Sequence, residues 1–380
     1  MKIAFLTPEF PHPKTGASGG IGTSILNLSK GLLDLGHTVS VVVYGQDADE
    51  SFEENGIHFY KIKNILFKGL SLFLTQKKIE KLLNSLVKQG KIEIVEAPDW
   101  TGISSFIKPK CPLVVKLHGS DTYFCHLDQR PVKPKNRFLE KRALQRADAI
   151  VSVSHFTGIT TQQLFTLRSG FQTVHNGIDL TQFEPSTTES NQNILYFGTL
   201  TRKKGVLELP LIFNEVIRAN PTAQLILVGK DASDIISGNA STWNMMQALF
   251  EGQALKNVTY LGSVPYADMK KQIQMASVCV FPTFAEALPV SWIEAMAMEK
   301  VIVASNIGWA AELVDDGVDG FLVNPKNHQQ FAAQIDAVLS QPLLQTQIGK
   351  MARNKVVKKF SNSVIAEQTV ELYQKIINRK

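Results

Sequence analysis

Cysteine is scarce: Cys111, Cys125 and Cys279 stand far apart and odd in number among 380 residues. No Cys-x-x-Cys pair occurs, which argues against a disulfide framework or a structural zinc site and fits a reducing compartment. His118, Cys125 and His126 suggest no fourth ligand, so no metal is expected there. Cys279 lies in an apolar run and reads as a core thiol. No stretch of about 18 uncharged apolar residues exists to span a membrane. The start, MKIAFLTPEF, runs from a short strand into a Pro-containing loop. It lacks the apolar region and small-residue cleavage site of a signal peptide, so a cytoplasmic location is expected. Short-period repeats and low-complexity tracts are missing too, which removes solenoids. Neither sign of charge dominates, with 40 Lys+Arg against 34 Asp+Glu and a net +6. That excess suits a nucleotide, an anionic acceptor or an acidic membrane surface, and equally a well-solvated basic surface. No nucleic-acid partner is expected.

What is present is enough apolar residue, 44% against 19% charged, to bury two cores in one chain of this length. Short β-branched runs alternate with segments of helical period, the mark of parallel βαβ units. The first series predicts strands over 2–6, 38–43, 92–95, 113–117 and 149–153, with helices over 21–35 and 77–88. The pattern restarts with strands over 193–197, 224–228, 258–261, 277–281 and 301–304 and helices over 206–219, 266–275 and 290–298. Residues 176–193 between them are polar and lack sustained periodicity, as a linker should. The fold class expected is α/β, with two Rossmann-like doubly wound parallel-sheet domains facing across a cleft. Their expected limits are 1–180 and 190–362, with a helix over 363–380 packing back on the first.

The strongest chemical signal is FAEALPVSWIEAMA, residues 284–297. A buried strand leads into a loop ending at Leu288, and Pro289 then suits the first helical position. Leu288 offers no capping side chain, which leaves the first amides available to an anion, with the helix dipole assisting. Glu286 lies in the loop and Glu294 in the helix, eight residues on. One carboxylate can accept from ribose hydroxyls and the other can hold sugar hydroxyls beside a centre that turns positive. Alone, such a pair reads as a loop charge and an exposed helix residue; the strand–loop–Pro–helix context reverses that. This stretch resembles the Glu-x7-Glu motif of retaining family 4 glycosyltransferases of the GT-B fold. The continuation EAMAMEKVIVASNIGWAAELVDDGVDGFLVNP is similar to that family as well, and matches run from about residue 16 to residue 325. The resemblance implies a metal-independent transferase without cofactor. Its second domain would grip a nucleotide diphosphate sugar, and its first would bind a glycan or lipid-linked acceptor.

Within that frame Glu286 is expected on the donor sugar and Glu294 on the ribose, with Val264, Ala287, Leu288, Pro289 and Val290 also against the donor. YFGTLTRKKG, residues 196–205, carries Arg202, Lys203 and Lys204 from a strand end toward a helix, a pattern that suits a diphosphate or a solvated basic loop. Lys204 matches the family lysine. The family's arginine directly after the first Gly is Thr199 here, and Arg202 is the candidate replacement. In GASGGIGTS, residues 16–24, glycines let amides approach a phosphate; the spacing fails as a NAD fingerprint. Its resemblance to the family's Gly-Gly loop implies donor phosphates on Gly19 and Gly20. KLHGSD, residues 116–121, places His118 at a strand end to touch a donor-sugar hydroxyl or orient the acceptor, with Asp121 on the acceptor. EAPDW, residues 96–100, puts Asp99 and Trp100 at a neighbouring strand end, where they could line an acceptor pocket, though a core Trp reads nearly as well.

Asp47-Ala48-Asp49 spells the Asp-x-Asp metal signature of the other glycosyltransferase fold but sits in a polar loop, and Asp315-Asp316 precedes a Gly turn. Both read as solvated. Residues 61–91 are basic and partly amphipathic, with Phe67, Leu70, Leu72, Phe73 and Leu74 interleaved. They suit peripheral contact with the inner face of an anionic membrane, or an ordinary helix with a lysine-rich outer side. The activity expected is retaining transfer from a UDP- or GDP-sugar to a hydroxyl in polysaccharide or glycolipid synthesis at the cell envelope. A nucleotide-sugar 2-epimerase of similar fold and a non-catalytic nucleotide-sugar-binding module are the alternatives.

Overall fold

The computed structural model describes residues 1–16, 18–185 and 191–379. The chain divides into two compact units, Met1–Asp179 with Phe360–Lys380, and Leu180–Lys359. Of the segment read as a linker, residues 186–190 lie outside the described residues, as does Ala17 of the Gly-rich loop.

The first unit is built on β1 (Lys2–Thr7), β2 (Thr38–Gln46), β3 (Glu50–Glu54), β4 (Ile57–Lys63), β5 (Ile94–Pro98), β6 (Leu113–Leu117), β7 (Ala149–Ser152) and β8 (Gln172–Thr173). They form one sheet in the order β3-β4-β2-β1-β5-β6-β7-β8, parallel except for β3. Strands β5 and β6 are buried along their whole length, which is why they read as unbroken apolar runs. The β3–β4 hairpin was not expected. Its first strand, ESFEE, is an exposed edge with no apolar run. Asn55 and Gly56, both at positive φ, make the tight turn between the two strands.

The segment 176–179 is not a free linker. Asn27 Nδ2 donates to Gly177 O at 3.0 Å, Ser24 Oγ donates to Asn176 Oδ1 at 2.7 Å, and Lys30 pairs with Asp179 at 2.9 Å. Ile178 exchanges backbone bonds with Phe360 and Asn362, so the chain's two passages at this point lie side by side. The helix Asn362–Ile377 then buries Ile365, Ala366, Leu372 and Tyr373 in the core of the first unit, and the Tyr373 hydroxyl donates to the buried Glu96 of β5.

The second unit is simpler: β9 (Asn193–Phe197), β10 (Gln224–Val228), β11 (Val258–Tyr260), β12 (Val278–Phe281), β13 (Val301–Ser305) and β14 (Phe321–Val323). All are parallel, in the order β11-β10-β9-β12-β13-β14. Counted within the unit this is 3-2-1-4-5-6, the usual doubly wound order of dinucleotide-binding domains, and the winding reverses between β9 and β12. In the first sheet the corresponding reversal falls between β1 and β5.

A buried acid ties the strand ends of the first sheet together. Asp99, just past β5, is fully buried; its Oδ1 accepts from His118 N, just past β6, at 3.0 Å. Its Oδ2 has no hydrogen-bond partner among the described residues. Burial pushes the carboxyl up to about 8; Glu140 adds to the rise and the His118 amide opposes it. An acid whose value is raised on folding stabilises the native state below its ordinary value near 4, and loses that contribution as pH rises toward 8. Asp99→Asn keeps the acceptor and cannot ionise. Its denaturation free energy should therefore gain on that of the wild type by roughly 1 kcal/mol per unit between pH 5 and pH 8. A gap that stays constant over that range contradicts the assignment.

Candidate active site

Open parallel sheets bind ligands beyond the carboxyl ends of their strands, where the winding reverses. In the second unit that point is flanked by residues 198–205 after β9 and residues 282–289 after β12. Gly205, at φ +69°, brings the two segments into contact. A Cβ there would lie 1.7 Å from Pro282 O, so no other residue fits. Phe284 N and Ala285 N then donate to Lys203 O at 2.9 and 3.1 Å. This crossing sets the Lys204 ammonium on the Glu286 carboxylate, joining two residues that the sequence singled out separately.

Both side chains are largely enclosed. Lys204 keeps 25% of its side-chain surface and Glu286 12%. Burial, and then the adjacent Lys203, pulls the Lys204 ammonium down to about 7. The Glu286 carboxylate in contact works against both, because an enclosed cation keeps its proton best beside an anion. Arg202 lies in the same short turn, Arg202–Lys204. This turn is 3-10 and the α-helix that follows begins only at Leu209, so the cations sit on a separate turn rather than at the helix start.

The helix Val290–Ala297 begins at the residue expected and ends one residue earlier. Pro289 is its N-cap rather than its first helical residue, and no cap side chain accepts from its amides. Glu294 is buried at 6% exposure, which removes its reading as an exposed helix residue. The contact with Lys204 likewise removes the reading of Glu286 as a solvated loop charge. Ala287 and Leu288 are buried beside it, and Val264, after β11, is half-buried.

In the first unit the Gly-rich loop leads to the helix Gly20–Asp34, with Gly19 as its N-cap. The anion at this helix start comes from the chain itself: Glu9 Oε1 accepts from Gly22 N at 3.1 Å and lies 3.2 Å from where a Cβ on Gly19 would be. A phosphate on Gly19 and Gly20 would have to displace that carboxylate. Sequence reasoning passed over Glu9, which precedes its amide by thirteen residues with no periodic signal.

His118 is half-buried, and burial, then Lys116, holds its imidazole well below the ordinary value, so the ring is neutral. Asp99 beneath it has no exposed surface; it supports the His118 backbone, and its expected place lining an acceptor pocket is corrected accordingly. Trp100, in the turn Trp100–Gly102, is half-buried. Asp121 accepts from Asn136 Nδ2 at 2.9 Å and lies 3.7 Å from Arg130, so its carboxylate is held by the protein. The Asp-x-Asp decoy is not merely solvated: Asp47 pairs with Lys61 at 3.2 Å and Asp49 with Lys78 at 2.6 Å. Asp315 pairs with Lys355 at 2.9 Å. Among the described residues no group of three or more His, Cys, Asp or Glu could hold a metal ion.

Comparison with known proteins bears on this arrangement. A model of Glycosyltransferase Family 4 matches residues 18–182, and a model of Glycosyl transferases group 1 matches residues 179–355. An uncharacterized glycosyltransferase of Methanocaldococcus jannaschii is 26% identical over 397 positions, which take in 98% of each chain. The alpha-maltose-1-phosphate synthase of Mycolicibacterium smegmatis is 25% identical over 99% of this chain and all of that one. Among solved structures, sucrose-phosphate synthase from Thermosynechococcus elongatus superposes with a TM-score of 0.80 at 20% identity, covering 100% of both chains. Anabaena HepE, solved in complex with UDP-glucose, does so with a TM-score of 0.73 at 21% identity, covering 99% of this chain and 100% of that one. The likeness to these structures establishes the fold, and the two family models between them account for most of the chain: it belongs to the family 4 glycosyltransferases of the GT-B fold.

Proposed function

We propose that the chain moves a sugar, with retention at its anomeric carbon, from a UDP- or GDP-sugar to a hydroxyl acceptor in polysaccharide or glycolipid synthesis at the cell envelope. The Lys204–Glu286 contact at the reversal point of the second sheet carries the proposal. It sets a cation for a diphosphate against a carboxylate for sugar hydroxyls, with buried Glu294 eight residues on for the ribose. The bond from the anomeric carbon to the diphosphate oxygen breaks. Arg202, Lys204 and the first amides of the helix Val290–Ala297 neutralise the charge that develops on the leaving oxygen. The acceptor hydroxyl closes on the oxocarbenium-like carbon from the same face, and its proton passes to the departing phosphate oxygen. No metal enters this scheme. His118, neutral at pH 7, and Trp100 are assigned to sugar hydroxyls and acceptor in the first unit. UDP-glucose in HepE is the reason to begin with uridine donors.

Glu294→Ala removes a buried acceptor from the proposed ribose seat. The variant should bind UDP or GDP more weakly by about 1–3 kcal/mol in calorimetry. Unchanged nucleotide affinity removes the ribose assignment. Quantitative conversion of UDP-glucose or GDP-mannose to an isomer with no acceptor present points instead to an epimerase.

Among the described residues no helix is long and apolar enough to cross a membrane. We propose instead that the protein is cytoplasmic and rests on the inner face of an anionic membrane. Leu66, Phe67, Leu70 and Phe73 are exposed at 85, 58, 50 and 40% at the start of the helix Ser71–Lys88, with Lys68 and Lys81 exposed beside them. Lys61 and Lys78 do not contribute, being paired to Asp47, Glu50 and Asp49. The chain should sediment with vesicles containing phosphatidylglycerol and not with pure phosphatidylcholine, and Phe67→Asp with Leu70→Asp should abolish this. Wild-type protein that stays in the supernatant with both vesicles contradicts the proposal.

A further inference from the structure

We propose that Asp234 is a positioning residue that aims Arg202 at the donor diphosphate, and so makes good the arginine absent from position 199. The inference rests on the donor assignment above.

An arginine three residues beyond its usual place, on a flexible stem, gains little for a phosphate unless something fixes its direction, since ordering the stem costs rotamer entropy. Asp234 supplies that. It lies in the segment after β10, is 3% exposed, and takes the guanidinium side-on: Arg202 Nε donates to Oδ1 at 3.0 Å and Arg202 Nη2 to Oδ2 at 2.8 Å. The carboxylate is itself held. Ser237 N and Ser237 Oγ donate to Oδ2 at 2.9 and 2.6 Å. On the main chain Asp234 N donates to Asn239 O at 2.8 Å and Gly238 N to Asp234 O at 2.9 Å. The donations from Arg202 and Ser237 keep Asp234 ionised, well below the usual carboxylate range.

The side-on grip uses two of the five guanidinium N–H groups, one on Nε and one on Nη2. Three remain, two on Nη1 and one on Nη2, and one from each nitrogen together form the end-on fork that matches a pair of phosphate oxygens. The burial is one-sided: the Asp234 side chain is 2% exposed and that of Arg202 39%. The acid thus anchors the cation from within, while the Arg202 side chain keeps a large exposed surface. Asp234 is thirty-two residues from Arg202, and Arg202 is two residues from Lys204 in the same turn, so one buried acid directs the cation neighbouring the family lysine.

Calorimetric titration with UDP and GDP, with uridine as the control that carries no phosphate, tests this on Arg202→Ala, Asp234→Asn, Ser237→Ala and the Arg202→Ala/Asp234→Asn double variant. Thermal melts check that each is folded. Arg202→Ala should weaken the nucleoside diphosphate at least tenfold and leave uridine unchanged. Asp234→Asn should weaken it about fivefold or more, Ser237→Ala by less, and Asp234→Asn should add nothing once Arg202 is gone. If Arg202→Ala weakens binding while Asp234→Asn and Ser237→Ala do not, Asp234 only ties the fold together and the inference is overturned with the donor assignment intact. An equal loss from Asp234→Asn with and without Arg202 overturns it in the same way. If Arg202→Ala leaves both nucleotides unaffected, the role of Arg202 in the donor site falls, and the inference with it.

Discussion

A lysine and a glutamate eighty-two residues apart meet because a glycine lets one loop lie directly on another. That crossing, of residues 198–205 over residues 282–288, is the constraint on which the second unit's chemistry depends. It fixes the separation of a cation and a carboxylate at the point where the sheet reverses its winding. A donor that carries both phosphate and sugar offers partners to both. The pair that satisfies itself in the free protein is, group for group, the pair that such a donor would replace. An enclosed charge left without a partner costs several kcal/mol, so a ligand that engages only one of the two is at a disadvantage.

The two units treat their helix starts differently. In the first, Glu9 accepts from Gly22 N at the start of the helix Gly20–Asp34, and Glu140 accepts from Asp121 N and Thr122 N at the start of the helix Asp121–Leu127. Each is a carboxylate brought from elsewhere in the chain to orphan amides, a satisfaction that costs the fold nothing further. The helix Val290–Ala297 of the second unit has a proline at its cap and no cap side chain bonded to its amides. The contrast favours the second unit as the place for an anion from outside.

Much of this was legible because parallel strands buried on both faces leave uninterrupted β-branched runs. Strand β9 falls where the sequence put it for that reason; β10, less fully buried, and the helix Tyr266–Met275, read from its helical period, also fall where expected. What failed to show was short, edge-like or long-range. Strand β3 is acidic and exposed, although Asn55-Gly56 was a hairpin signal in plain sight, and β14 has only three residues. Glu286, Glu294 and Lys204 could be singled out because they lie in local patterns of strand, loop and helix. Glu9 and Asp234 could not, since what makes each of them matter is a partner thirteen or thirty-two residues away. The absence of arginine at position 199 was visible; the acid that holds Arg202 was not.

The most direct measurement is the structure of the protein with UDP-glucose bound. The diphosphate should lie at the ends of β9 and β12, within hydrogen-bond distance of Lys204 and Arg202, with Lys204 parted from Glu286, Glu286 on the sugar and the ribose on Glu294. A nucleotide seated elsewhere, for example in the depression of about 430 Å³ lined by Asn324, Lys326 and His328, with Lys204 still on Glu286, would contradict the account.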